Sequence, residues 1–498
     1  MLATEVPARA GREECVMQPN KQLNRLFAAL GREGLEVSRE GRMYRVRRKD
    51  GPDEPAEVLL PDDFPVEAKA LRQLAGLMAV RHPAGGRVER ACASPDFHPG
   101  DSGVAIGSVA LTEGMVIPAA VGSDINCGMR LHVVDLPADR LLAKRDQLVE
   151  LLKGDFFFGT RDLPMTAGSM RALFHDGLLG WIDEVARQPL GVLAGSDFVQ
   201  IGKELDRVHL GGALAGHARW APEDLVPSSG QVRDGGMATI GGGNHFVEIQ
   251  VVEEVVDRGL AHAWGVRAGQ LAFMIHSGSR GVGKHVGAAW RDKARAAWPK
   301  GQPHPEEGLF ALSLTDHPEL VAGYLEAEAT AANYGFVIRL LLAELLRLRL
   351  RQVFGAGLTA PLVYDLPHNI TLPAEGPARR WITRKGACPA DAGQPVIIPG
   401  SMGASSYLAV GRGAKDLLSS ASHGAGRARS RFMMSNHSDQ DERALGLTGV
   451  DCITLREERR IEEAPAAYKP IGPVIECQVE ARTIDVVARL RPLMTFKA

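Results

Sequence analysis

Several apolar runs in this chain end on a histidine, cysteine or aspartate set beside glycine, and this pattern constrains the fold more than any other feature. MVIPAAVG leads to Asp124 and Cys127, LAFMI leads to His276 in HSGSRG, and APLVYDLP leads to His368. GGGN leads into His245, which opens HFVEIQVV. Short apolar runs bounded by turn residues read as buried strands, and strand ends feeding loops are where sites are usually built. Glycine at such ends lets backbone amides approach an anion closely. The glycines cluster at 100–107, 235–243, 278–287, 400–413 and 424–426, and no repeat of fixed period links them.

Periodicity predicts helices over 64–78, 139–153, 166–187, 195–217, 282–297 and 318–354. It predicts strands over 115–121, 129–135, 245–255, 270–276, 360–366 and 394–399. Such a mixture argues for an α+β (mixed α/β) protein with a large mixed sheet. Residues 1 to about 18 read as unstructured. KQLNRLFAAL (Lys21–Leu30) has helical spacing, Leu35–Arg48 alternates as a hairpin does, and the polar stretch 51–57 reads as a linker. The expected organisation is an N-terminal extension over 1–60, of open role, and one large catalytic domain over 61–498.

The formal net charge is −2, so any nucleic-acid contact must come from a local patch. Six cysteines, widely spaced and without a CxxC pair, argue against a disulfide scaffold and for a reducing, cytoplasmic setting. The N-terminus lacks the apolar core of a signal peptide. The longest apolar stretch, Ala331–Phe354, carries Arg339, Glu344, Arg347, Arg349 and Arg351, and reads as an amphipathic helix. No membrane association is expected.

Asp124 and Cys127 stand three apart in SDINCG, where a tight turn lets both reach one ion. Thiolate and imidazole suit borderline metals. Three histidines with Cys127 and Asp124 could hold two ions sharing the thiolate, an arrangement that serves phosphoryl transfer. A single buried cysteine or histidine is more often packing; five ligand-type residues beside glycines at strand ends point to ligation. His423, in SASHGAGRARSR, could attack a phosphate, with backbone amides and Arg427 binding the anion. The run Arg427, Arg429 and Arg431 is either a solvated face or the missing basic patch. PGSMG (Pro399–Gly403) followed by Ser406 is a second glycine–serine loop. No Walker A motif occurs, so a nucleotide site would be of another type. Cys92, Cys388, Cys452 and Cys477 read as packing or surface thiols, whereas His98 and His285, in glycine-rich turns, stay open.

Together the segments SPDFHPGDSGVAIGSV, VIPAAVGSDINCGMRL, IGGGNHFVEI, HSGSRGVGKHV, DLPHNI, TRKGA, IPGSMGASSYLAVG, SASHGAGRAR and RPLMTFKA resemble the RtcB family of RNA ligases, in family order from about residue 60 to the end. The resemblance implies a ligase that joins RNA 2′,3′-cyclic-phosphate or 3′-phosphate ends to 5′-hydroxyl ends, in tRNA splicing or RNA repair. It implies GTP and two Mn²⁺ as cofactors, with His423 as the catalytic nucleophile that carries GMP. Asp124, Cys127 and His245 would hold one ion, and Cys127, His276 and His368 the other. The guanylate site would comprise Asn244, His245, Phe246, Val247, Glu248, His368, Asn369, Pro399, Gly400, Ser401, Met402, Ser406, His423, Gly424, Ala425, Gly426 and Lys497. Glu248 and Lys497 would read guanine, and Arg280 would clamp phosphate. RNA ends are the implied partners, with an archease-type activator, and a monomer is expected.

Two departures from the family pattern stand out. Thr383 replaces the usual histidine before Arg-Lys-Gly-Ala, and the stretch after Asn369 is short and lacks a histidine many members carry. They bear on the RNA substrate and on activator dependence. Two alternatives are a diverged nucleotidyltransferase that caps 3′-phosphate ends without sealing, and a non-catalytic RNA-end or metal-binding paralogue. The complete set of Asp124, Cys127, His245, His276, His368 and His423 argues against the latter.

Overall fold

In the computed structural model, which describes residues 21–376, 379–435 and 441–498, two large sheets pack around one long helix. The segment 1–18 lies outside the described residues. The first sheet has seven strands, in the order 35–40, 43–48, 56–59, 87–98, 106–113, 380–385, 369–373. The predicted hairpin forms its edge, with Val37 opposite Val46. The expected linker is corrected in part: Ala56–Leu59 is a strand that pairs in parallel with Arg87–His98. Its apolar Ala56, Val58 and Leu59 are buried, which outweighs the polar, proline-containing start of the segment.

The second sheet runs 362–367, 128–137, 270–277, 246–255, 484–496, 406–411, 395–398, and Cys452–Ile453 also pairs with 484–496. Both its faces are covered. Leu271, Phe273 and Ile275 enter the main core, while Ala272 and Met274 enter a second core with Met129, Leu131 and Leu408. Period-2 alternation sends neighbours to opposite faces, and burial of both faces explains why these strands read as continuous apolar runs.

The helix Pro318–Phe354 is the one described helix long and apolar enough to cross a membrane, and its most apolar window lies wholly inside the molecule. Its predicted amphipathic character is corrected: Arg339, Glu344 and Arg347 are buried. They are paired internally, Arg339 with Asp365 at 2.8 Å and Arg347 with Glu204 at 2.6 Å.

Three other expectations also change. The strand expected over 115–121 is only Met115–Val116, because Pro118 starts a helical turn, Pro118–Val121. The helix expected over 195–217 is limited to Phe198–Lys203, followed by short 3₁₀ turns in which Leu210 and Gly211 have positive φ. The helix expected over 139–153 divides at Lys144 into Ala138–Ala143 and Arg145–Phe156.

Candidate active site

The second sheet delivers the candidate residues by topology. Four adjacent antiparallel strands present alternate starts and ends at one edge, where Ser277 and Pro367 both pair with Gly128, and Phe246 pairs with His276. His368 therefore follows one strand, Cys127 precedes the next, His276 closes the third and His245 precedes the fourth. The fifth strand pairs Phe496 with Val247, which places Lys497 at the same end.

The donor atoms form a continuous chain. Asp124 Oδ2 lies 2.8 Å from His245 Nε2, which lies 3.2 Å from Cys127 Sγ. The sulfur is 3.1 Å from His276 Nε2, itself 3.3 Å from His368 Nε2. Cys127, His245 and His276 converge closely enough to ligate one ion. His276 Nδ1 donates to the carbonyl of Asn244 at 3.1 Å, which leaves its Nε2 as a lone pair facing another nitrogen. Among the described residues, the Nδ1 atoms of His245 and His368 are buried without a hydrogen-bond partner. A buried run of sulfur, imidazole nitrogen and carboxylate oxygen, with His276 Nε2 left as an acceptor between the thiol and a second imidazole, is what a cation satisfies, so the donor set fits a borderline metal. Burial, and then Asp124, push the Cys127 thiol well above its ordinary range. Burial also pushes His276 and His368 well below theirs. A bound cation would reverse the thiol's shift.

His423 follows the short strand Ser420–Ser422, which pairs with Ala387–Pro389. Its ring lies 4.7 Å from that of His368. Its Nδ1 donates to Asp96 Oδ2 at 2.5 Å, and its backbone amide donates to the same oxygen at 3.1 Å. Ser94 donates to the other oxygen at 2.6 Å. Burial alone would raise the Asp96 carboxyl, but His423 and these hydrogen bonds outweigh it and hold the group below its usual range. Asp96 thus fixes the tautomer that leaves His423 Nε2 as a lone pair. Gly426 is obligatory beside it, since its φ is +76° and a Cβ would lie 2.3 Å from the Asp96 carbonyl. Sequence reasoning did not assign Asp96. The signal available was its place two residues before His98 in SPDFHPG.

A cavity of 740 Å³ opens over these groups, a size that suits a nucleotide. Its wall includes Asp124, Cys127, Asn244, Phe246, Glu248, His276, His368, Asn369, Pro399, Gly400, Ser401, Met402, His423, Gly424, Ala425, Gly426 and Lys497. His245 sits behind it, in the donor chain. Val247 and Ser406 do not reach the wall. Val247 points from the opposite face of its strand into the main core. Ser406 accepts from the amide of Gly400 at 3.2 Å and from Gln250 at 3.1 Å, and so supports the loop instead.

Arg280 is also absent from the wall. A Cβ at Gly241, φ +93°, would lie 2.0 Å from its guanidinium and 2.8 Å from His245 Nδ1, so Arg280 packs behind the His245 loop. Arg427 and Arg431 line the cavity, but both are tied to buried Glu463, at 3.0 Å and 2.8 Å. Burial would raise that carboxyl; Lys497, Arg427 and Arg431 instead bring it down to about 2. Arg427 is therefore a partner of Glu463 more than an anion clamp. Of the two open histidines, His98 lines the cavity, its Nδ1 2.8 Å from the Asp96 carbonyl, and His285 is exposed on the helix Arg280–Ala297. Thr383 is buried in the first sheet, its hydroxyl 3.1 Å from that of Thr371, and does not reach the wall. Cys92, Cys388 and Cys477 are buried and Cys452 is partly buried, as packing thiols are.

This is a donor set for metal built against a buried, carboxylate-held imidazole in a nucleotide-sized cavity. Comparison with known proteins gives that arrangement a family. The family model described as tRNA-splicing ligase RtcB matches residues 76–498. The tRNA-splicing ligase RtcB of Thermococcus kodakarensis is 32% identical over 438 residues, covering 81% of this chain and 86% of its own. The tRNA-splicing ligase RtcB of Nanoarchaeum equitans is 32% identical, with 93% and 97% covered. The RNA-splicing ligase RtcB of Mycobacterium tuberculosis is 32% identical, with 83% and 98% covered. The chain belongs to the RtcB family of RNA ligases.

Proposed function

We propose that this chain is a GTP- and manganese-dependent ligase joining an RNA 2′,3′-cyclic-phosphate or 3′-phosphate end to a 5′-hydroxyl end, in tRNA splicing or RNA repair. The observation that carries the reading is His423 Nε2, freed by Asp96, in one cavity with Asp124, Cys127, His276 and His368 of the five-donor chain. Asp124, Cys127 and His245 would hold one Mn²⁺, and Cys127, His276 and His368 the second. Ions there would neutralise phosphate charge that otherwise repels a nucleophile. His423 Nε2 attacks the α-phosphorus of GTP; the N–P bond forms as the bond to pyrophosphate breaks. The Asp96 carboxylate stabilises the positive charge that develops on the ring. A 2′,3′-cyclic phosphate end is opened by water, which breaks the bond to O2′ and leaves a 3′-phosphate; an oxygen of that 3′-phosphate takes the guanylate from His423 and the imidazole leaves. The 5′-hydroxyl of the second RNA displaces GMP. All these groups come from residues 61–498, the span read as the catalytic domain.

The test is an RNA carrying a 2′,3′-cyclic phosphate mixed with one carrying a 5′-hydroxyl, with Mn²⁺, GTP and an archease-type activator. Joined product is expected. Guanylate-capped 3′ ends accumulating without joining would replace this reading with a capping enzyme, and no change in either RNA would refute it.

Guanine recognition is assigned to Glu248 and Lys497. Burial pushes the Glu248 carboxyl up to about 7, against the pull of Thr495, Gln250 and Lys497. Guanine offers two adjacent N–H donors, and only the ionised carboxylate accepts both, one on each oxygen. A raised carboxyl pKa means the binding form is lost as pH falls through 7. GTP affinity is expected to drop about tenfold between pH 8 and pH 6. Glu248→Gln should bind weakly at both pH values, without that slope. A Glu248→Gln protein that keeps the wild-type slope in a titration with fluorescent nucleotide would move guanine recognition elsewhere.

A further inference from the structure

We infer that Arg339 is a positioning residue for the metal centre, a buried clamp that sets the spacing of the three segments bearing Cys127, His276 and His368. The inference rests on the metal reading above. Arg339 lies on the helix Pro318–Phe354 and is fully buried. Its guanidinium has five N–H groups, and acceptors surround all three nitrogens. Nη1 donates to the carbonyl of Asn126 at 2.6 Å and to that of Ser277 at 3.0 Å. Nη2 donates to the side-chain oxygen of Asn126 at 3.2 Å and to Asp365 Oδ1 at 2.8 Å. Nε donates to Asp365 Oδ1 at 3.0 Å, with Oδ2 at 3.3 Å.

Asn126 immediately precedes Cys127, Ser277 immediately follows His276, and Asp365 stands three residues before His368. One planar cation therefore grips the turn before Cys127 and the two strands that end at His276 and lead to His368, at or near each donor. Asn126 needs such a grip, because its φ of 52° lies in the left-handed region that a non-glycine residue rarely adopts. Its amide also donates to the carbonyl of Asn369 at 2.7 Å, and the amide of His368 donates to that of Cys127 at 2.7 Å. The Cys127 and His368 segments are thus joined directly, and Arg339 adds the His276 strand. The fit is tight, since a Cβ at Gly128 would lie 3.0 Å from the guanidinium carbon. Lysine offers three donors around a point and cannot reproduce the planar fork.

Arg347, on the same helix, supplies the contrast. It is also buried and ion-paired, but its partners are Glu204, Glu344, the Ala360 carbonyl and His132, none beside a donor. If Arg339 only held the fold together, Arg339→Lys and Arg347→Lys would behave alike. The experiment titrates metal-free full-length protein with Co²⁺, reading thiolate-to-cobalt absorption, and records thermal unfolding without metal. Arg339→Lys is expected to weaken Co²⁺ binding at least tenfold and to change the ligand-field spectrum, whereas Arg347→Lys lowers the unfolding temperature and keeps wild-type affinity and spectrum. Should Arg339→Lys fail to fold, Asp365→Asn, which removes a carboxylate from the same clamp, should shift affinity and spectrum in the same direction. Wild-type Co²⁺ binding in Arg339→Lys, or equal weakening in Arg347→Lys, would overturn the inference. Absence of the thiolate band in the wild-type protein would instead overturn the metal reading on which it stands.

Discussion

His423→Ala should abolish transfer of label from α-labelled GTP to the protein, a loss of at least about 10⁴-fold if the imidazole is the covalent nucleophile. The wild-type adduct should be labile to acid, as a phosphoramidate is. Alanine also leaves the Asp96 carboxylate buried without its partner, a change that costs stability by itself. His423→Asn is therefore the companion variant: it can retain a donor toward Asp96 Oδ2 but has no nucleophilic nitrogen. Both variants should be inactive in labelling on a denaturing gel, and the asparagine protein should unfold at the higher temperature. Persistent labelling in either would place the nucleophile elsewhere.

The second large effect is expected at Cys127. Its sulfur is the middle of the donor chain, 3.2 Å from His245 Nε2 and 3.1 Å from His276 Nε2. Removing a shared ligand should weaken both ions together, so Cys127→Ala is expected to lose metal affinity by more than about 100-fold. Elemental analysis after gel filtration in dilute Mn²⁺ should find near-empty protein, while a peripheral substitution leaves the content unchanged. Loss of one ion with full retention of the other would deny that the sulfur is shared.

Much of the site was legible because its residues carry local signals. His276, His368 and Cys127 sit where an apolar run meets a turn, and such runs can be read from a few neighbouring residues. The glycines at Gly241 and Gly426 mark places where backbone must pass close to another group, and they too show in the one-dimensional pattern. Asp96 was less legible: its partner His423 is 327 residues away, and an aspartate at a strand end has many ordinary explanations. Arg427 and Arg431 read as free charge, since Glu463 lies more than thirty positions on and only the fold brings it beneath them.

The secondary-structure errors have the same cause. The segment 195–217 contains helix-forming stretches, yet Gly211 and Gly212, with Leu210 at positive φ, favour turns once the surrounding core fixes their direction. The charges of Ala331–Phe354 argued for a wet helix face, and Arg339, Glu344 and Arg347 lie inside because Asp365 and Glu204 meet the arginines there and Glu344 pairs with Arg347. Burying a charge is tolerable only when the partner is supplied, and partners from distant segments are invisible along the chain.

The amino-acid sequence by itself determined the mixed α/β class, the donor types and the family, because hydrophobic period, glycine placement and motif order are properties of neighbouring residues. Only the tertiary structure decided that four antiparallel strands end at one edge to bring Cys127, His245, His276 and His368 together, that Asp96 holds His423, and that Arg339 grips the segments bearing Cys127, His276 and His368. Those relations depend on strand pairing and on burial, which join residues hundreds of positions apart and leave no trace in local spacing.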